Sequence, residues 1–106
     1  MTDNIKNLEE KKRELLEKIE QYNLQKRKVE ISAQKFATQY HSGEIDYNEY
    51  QKRYRETFKD KTPQQWLSYY DIHLRTFRSQ LEWYDKEIRK AKKESYSDYD
   101  KEKKDG

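Results

Sequence analysis

The sequence predicts an all-α fold, and three observations carry the prediction. The 106 residues include 2 Gly and 1 Pro, too few turn-formers for a many-stranded sheet. Lys, Glu, Gln and Arg, all good helix-formers, dominate the polar positions. Apolar residues recur at alternating three- and four-residue spacing over long stretches, as they do where one helix lies along another. Only 31% of residues are hydrophobic against 42% charged, so thin apolar seams are easier to build than a spherical core. A chain of this length holds a single domain.

Helix 1 spans about residues 4–41. Its seam runs Ile5, Leu8, Lys12, Leu15, Ile19, Tyr22, Lys26, Val29, Ala33, Phe36 and Tyr40, broken only by the two lysines. Acid-before-base pairs at four-residue spacing, Glu9 with Arg13 and Glu14 with Lys18, support the helix itself. His41-Ser42-Gly43 should end it, because Gly can adopt the left-handed conformation that closes a helix.

Helix 2 follows at about residues 47–58. Asp46 is a good N-cap and Glu49 can reach back to its amide, while Ile45 and Tyr50 can form a hydrophobic staple. Tyr47, Tyr50, Tyr54 and Phe58 share one side. The 7 residues from Lys59 to Gln65 contain no apolar side chain apart from Pro63. Within them Thr62-Pro63-Gln64-Gln65 reads as a capping box with Pro at the first helical position.

Helix 3 spans about residues 63–93, with Leu67, Tyr70, Leu74, Phe77, Leu81, Tyr84, Ile88 and Ala91 on one unbroken seam. Arg89, Lys90, Lys92 and Lys93 sit where cations favour a helix C-terminus. Residues 94–106 have nothing to bury and read as a disordered tail beyond a single helical domain at residues 1–93.

Two architectures fit. In one, an elongated antiparallel helical hairpin, coiled-coil-like, has helices 2 and 3 running back along helix 1 as a broken second arm. In the other, the helices form a short three-helix bundle. Helix 2 is too short to cover helix 1 alone, which favours the hairpin.

Subtracting the seams leaves Leu24 and Ile31 on helix 1 and Trp66, Tyr69, Ile72 and Trp83 on helix 3. Large apolar groups off the seam point to a surface covered by another chain. These six are the candidate partner-binding residues, and the partners expected are other helical subunits or a second copy. The alternative is that they cover a helix of the same molecule.

Other functions find little in the residues. A net charge of +3 is too small for the field that nucleic acid or an anionic membrane requires. The 10 Tyr could act as stacking platforms for single strands, but most occupy seam positions. Nucleic-acid binding therefore stands as the alternative reading. His41 and His73 have no second ligand at metal spacing, no Cys is present, and no nucleophile–base arrangement or phosphate loop occurs. No catalytic residue, cofactor or metal is expected. No apolar run approaches a membrane span, the N-terminus is unlike a signal peptide, and the missing cysteines lean toward the cytoplasm.

The stretch Ala37-Thr38-Gln39-Tyr40-His41-Ser42-Gly43-Glu44-Ile45-Asp46-Tyr47-Asn48-Glu49-Tyr50, with Tyr54 after it, resembles the middle of the Mod(r) domain. That domain belongs to a subunit of the ESCRT-I endosomal sorting complex. Ala37, Tyr40, Gly43, Ile45, Asp46, Tyr50 and Tyr54 match its pattern over about 20 residues, and the continuation Phe58-Lys59-Asp60-Lys61-Thr62-Pro63 departs from it. The resemblance implies an adaptor subunit in membrane trafficking, touching membranes through partners.

Overall fold

The computed structural model describes the backbone of residues 2–105 and the side chains of residues 4–94. The chain forms α1 (Thr2–His41), α2 (Tyr47–Phe58) and α3 (Pro63–Asp105), with no strand among the described residues. The fold is all-α, and the three helices start and turn where the sequence places them.

The chain divides into two compact units, Met1–Ile19 with Thr76–Gly106 and Glu20–Arg75. In the first unit α1 and α3 pair antiparallel. Lys12 Nζ is ion-paired with Asp85 Oδ1, and Lys92 Nζ lies 3.3 Å from Glu9 Oε1, so lower numbers on one helix meet higher numbers on the other. Leu15 and Ile88 are buried, and Ile5, Leu8, Ile19, Phe77, Leu81, Tyr84 and Ala91 are half-buried, so the seam residues of both helices are the covered ones.

In the second unit α2 and then α3 cover successive stretches of α1 in reverse order. Phe36 meets Phe58 edge-on at 6.1 Å, and Tyr40 lies 5.1 Å from Tyr50. Arg53 Nη1 donates to Gln39 Oε1 at 3.0 Å. Nearer the start of the unit, Tyr22 meets Tyr70 at 5.9 Å and Lys26 Nζ lies 2.8 Å from Asp71 Oδ1. Within this unit the second arm is broken and runs back along α1, and the three helices do not form a three-helix bundle. Phe58 at 2% exposure and Leu74 at 1% are its most deeply buried side chains.

Gly43 turns the corner at φ 79°, with its N–H donating to Tyr40 O and the Glu44 N–H donating to Gln39 O. Ile45 is buried directly after the turn, which fixes the angle at which the chain enters α2. Asp46 caps α2 as expected, its Oδ1 accepting from the Glu49 N–H at 2.8 Å. The reciprocal bond from Glu49 to the Asp46 amide is not made. Glu49 Oε1 instead accepts from Arg53 Nε at 3.0 Å, because a charged donor one turn on outcompetes a neutral amide. The second capping box is complete in both directions: Thr62 Oγ1 accepts from the Gln65 N–H at 3.1 Å and Gln65 Oε1 from the Thr62 N–H at 2.9 Å.

One boundary differs. The sequence ends the third helix near Lys93, whereas α3 stays helical to Asp105. Lys and Glu are strong helix-formers, and no Pro or Gly interrupts the stretch before Gly106, so nothing local stops it. Absence of burial does not end a helix. Whether residues 95–106 bury anything concerns side chains outside the described residues.

Candidate interaction faces

An interaction face is what remains once the helices have covered each other. On α1 the side chains opposite the seam are the ones left over: Ile31 is 58% exposed, and Leu24 is exposed one heptad before it. On α3 in the same unit Ile72 is 63% exposed. In the first unit Trp83 is 53% exposed, touching Tyr84 edge-on at 5.0 Å and lying beside Glu82, Lys86 and Arg89. These four sequence-predicted residues are exposed large hydrophobic side chains.

Trp66 differs from these four in its surroundings. It is half-buried at the break between α2 and α3. Its Nε1–H donates to the Phe58 carbonyl at 2.7 Å, its ring stacks on Tyr70 at 5.9 Å, and Lys61 Nζ stands 4.7 Å from the ring centre. The indole thus ties the C-terminal end of α2 to the first turn of α3. Sequence spacing put Trp66 off the α3 seam because spacing along one helix does not register a neighbour across a joint. Tyr69 stands between the two cases. It is exposed, yet it meets Trp66 at 6.0 Å and His73 at 4.5 Å.

Trp66→Phe keeps a six-membered aromatic ring but removes the pyrrole half and its donor, leaving the Phe58 carbonyl only a long contact from the Lys61 N–H at 3.4 Å. The expected loss is about 0.5–1.5 kcal/mol, the usual net worth of a hydrogen bond, read from denaturant midpoints.

Among the described residues, three exposed large hydrophobic side chains were not in the sequence-derived set: Leu16, Tyr40 and Tyr47. Leu16 was detectable, because Leu15 and Leu16 are consecutive and neighbours on a helix cannot both face one seam. Tyr40 and Tyr47 flank the corner, where the covering helix has only begun.

The grooves along these elements are open. One of about 340 Å³ runs along α2 between Tyr47, Tyr50, Gln51, Tyr54 and Arg55. Another of about 300 Å³ lies at the arm's break, lined by Val29, Phe58, Trp66 and Tyr70 with Lys28 and Lys59. Burial, and after it the neighbouring Tyr50, pushes the Tyr54 phenol up; burial, Tyr69 and Tyr22 do the same to Tyr70. Both phenols stay neutral at physiological pH and act as packing and hydrogen-bonding groups. Among the described residues no three His, Asp or Glu side chains form a group able to hold a metal ion, and no helix is long and apolar enough to cross a membrane.

No family model matches the chain, and no curated protein or solved structure shows significant similarity to it. The residues of the Mod(r)-like pattern have roles in the corner itself. Gly43 supplies the positive φ, Ile45 is buried, Asp46 is the cap, and Tyr40, Tyr50 and Tyr54 form a ring series with centroids 5.1 and 5.8 Å apart.

Proposed function

We propose that this chain is a non-enzymatic interaction or scaffold subunit whose helices carry two sets of apolar residues, one for folding and one for a partner. The observation that carries this reading is the separation of the two sets. Apolar seam residues other than Tyr40 at the corner are buried or half-buried within the chain, while Leu24, Ile31, Ile72 and Trp83 are exposed despite their size. Scattered exposed apolar residues are ordinary on a protein surface, but a chain with 31% hydrophobic residues has few to leave out. The partner chemistry that suits them is another helix with an apolar stripe, from a different subunit or a second copy.

An ESCRT-I-like trafficking assembly is the specific form of this proposal, and it is supported by the residue pattern from Ala37 to Tyr54. A cytoplasmic setting is supported by the absence of cysteine. Single-strand binding receives less support, because Tyr22, Tyr50, Tyr54 and Tyr70 are engaged with neighbouring rings inside the fold.

Trp83 separates a partner face from a core. Trp83→Ala should change unfolding by less than about 1 kcal/mol while weakening partner binding by about 2 kcal/mol or more, because interface aromatics carry binding energy out of proportion to their number. Melts of Trp83→Ala beside Leu81→Ala, each followed by partner titration, check it. Equal destabilisation by the two would make Trp83 a core residue and remove it from the interaction face.

A further inference from the structure

The α1 seam is broken twice, and both breaks are answered from α3. Lys12 and Lys26, two heptads apart, occupy positions that the pattern otherwise gives to apolar side chains. Asp71 and Asp85 are also two heptads apart. In the first unit Lys12 pairs with Asp85, and in the second Lys26 pairs with Asp71 at 2.8 Å. All four residues are half-buried, unlike the exposed Arg13 and Glu10 pair on the surface of α1.

Stability does not account for this arrangement. Ion pairs whose side chains keep 32–49% of their surface exposed are screened by water and contribute little to stability. What the pairs do supply is discrimination. A slip of one heptad in either direction takes Lys12 from Asp85 to Lys92 or Arg78, both cations. The same slips take Lys26 from Asp71 to Arg78 or Gln64. In-register parallel pairing of α1 with a second α1 sets Lys12 and Lys26 against themselves, and parallel pairing of α3 with α3 does so for Asp71 and Asp85.

We propose that these two lysine–aspartate pairs are a specificity device, selecting α3 as the helix that covers the α1 seam and fixing the register and number of chains in that pairing. A charged residue at a seam position is known to set register and oligomeric state at the expense of stability. The outward apolar residues then remain the route to partners, since the seam itself accepts only a helix with acids at the matching spacing.

The native chain has no cysteine, so spin labels can be placed through Glu17→Cys and Glu94→Cys, both exposed positions in the first unit. A one-heptad slip moves one label by about 10 Å along the helix axis relative to the other, at 1.5 Å per residue. Electron–electron distance measurement and sedimentation are run on the full-length chain and on Lys12→Leu/Lys26→Leu. The proposal expects the leucine variant to show a second distance population or a mass above that of the parent chain. A further variant, Lys12→Asp/Lys26→Asp, keeps the seam polar and serves if the leucine variant precipitates. Its new carboxylate at position 12 finds Lys92 or Arg78 after a slip, so a second distance is expected there too. Adding Asp71→Lys and Asp85→Lys to it should restore a single distance and the parent mass. If the lysine variants that stay in solution keep one unchanged distance and the parent mass, the corner and the apolar seam alone fix the pairing and the proposal is overturned.

Discussion

Phe58→Ala should lower the free energy of unfolding by about 3–5 kcal/mol, the largest loss expected from any single truncation in the chain. Phe58 closes α2 at 2% exposure, meets Phe36 at 6.1 Å and Tyr54 at 4.9 Å, and its carbonyl receives the Trp66 indole. Truncation removes the ring that α1 and α2 share and leaves a space beside the joint that Trp66 holds. Small domains are stable by only about 5–15 kcal/mol, so much of the reserve would be gone. Denaturant unfolding followed by far-ultraviolet circular dichroism reads the loss. A change of less than about 1 kcal/mol would mean that the α2–α3 joint contributes little to holding the second unit together.

Leu74→Ala should cost about 2–5 kcal/mol by the same cavity mechanism, because Leu74, at 1% exposure, is the most buried side chain among the described residues. The matched control is Leu24→Ala, the same chemical change on the exposed face of α1. There the expected effect is within about 0.5 kcal/mol of zero. The contrast is diagnostic, since both substitutions remove the same atoms and differ only in what surrounds them. Equal losses at the two positions would mean that Leu24 is covered in the folded chain.

How far the sequence alone could have led follows from what each signal encodes. The heptad stripes name the covered residues of α1 and α3 almost without error, because period along a helix reports directly on which side faces a neighbour. Caps and corner were legible for a similar reason: Gly43, Asp46, Thr62 and Gln65 act on backbone groups within a few residues. Lys12 and Lys26 looked like flaws in a stripe until α3 supplied Asp85 and Asp71 opposite them, a relation between distant segments that no local window contains. The hydrogen bond of Trp66 was hidden from the sequence on the same ground, since its acceptor belongs to the preceding helix. Spacing did identify Leu24, Ile31, Ile72 and Trp83 as off-seam, and the fold leaves all four exposed.

We propose that the exposed apolar residues bind a partner and do not hold the fold. It is tested most directly by purifying the chain from its native cell beside an Ile31→Ser/Ile72→Ser/Trp83→Ala variant, with co-eluting chains identified and both proteins melted. The claim predicts that the parent chain elutes with helical partner subunits or with further copies of itself. It also predicts that the variant loses them while melting within a few degrees of the parent. A variant that keeps the same companions, or a parent that elutes as a lone monomer at every concentration, would contradict it.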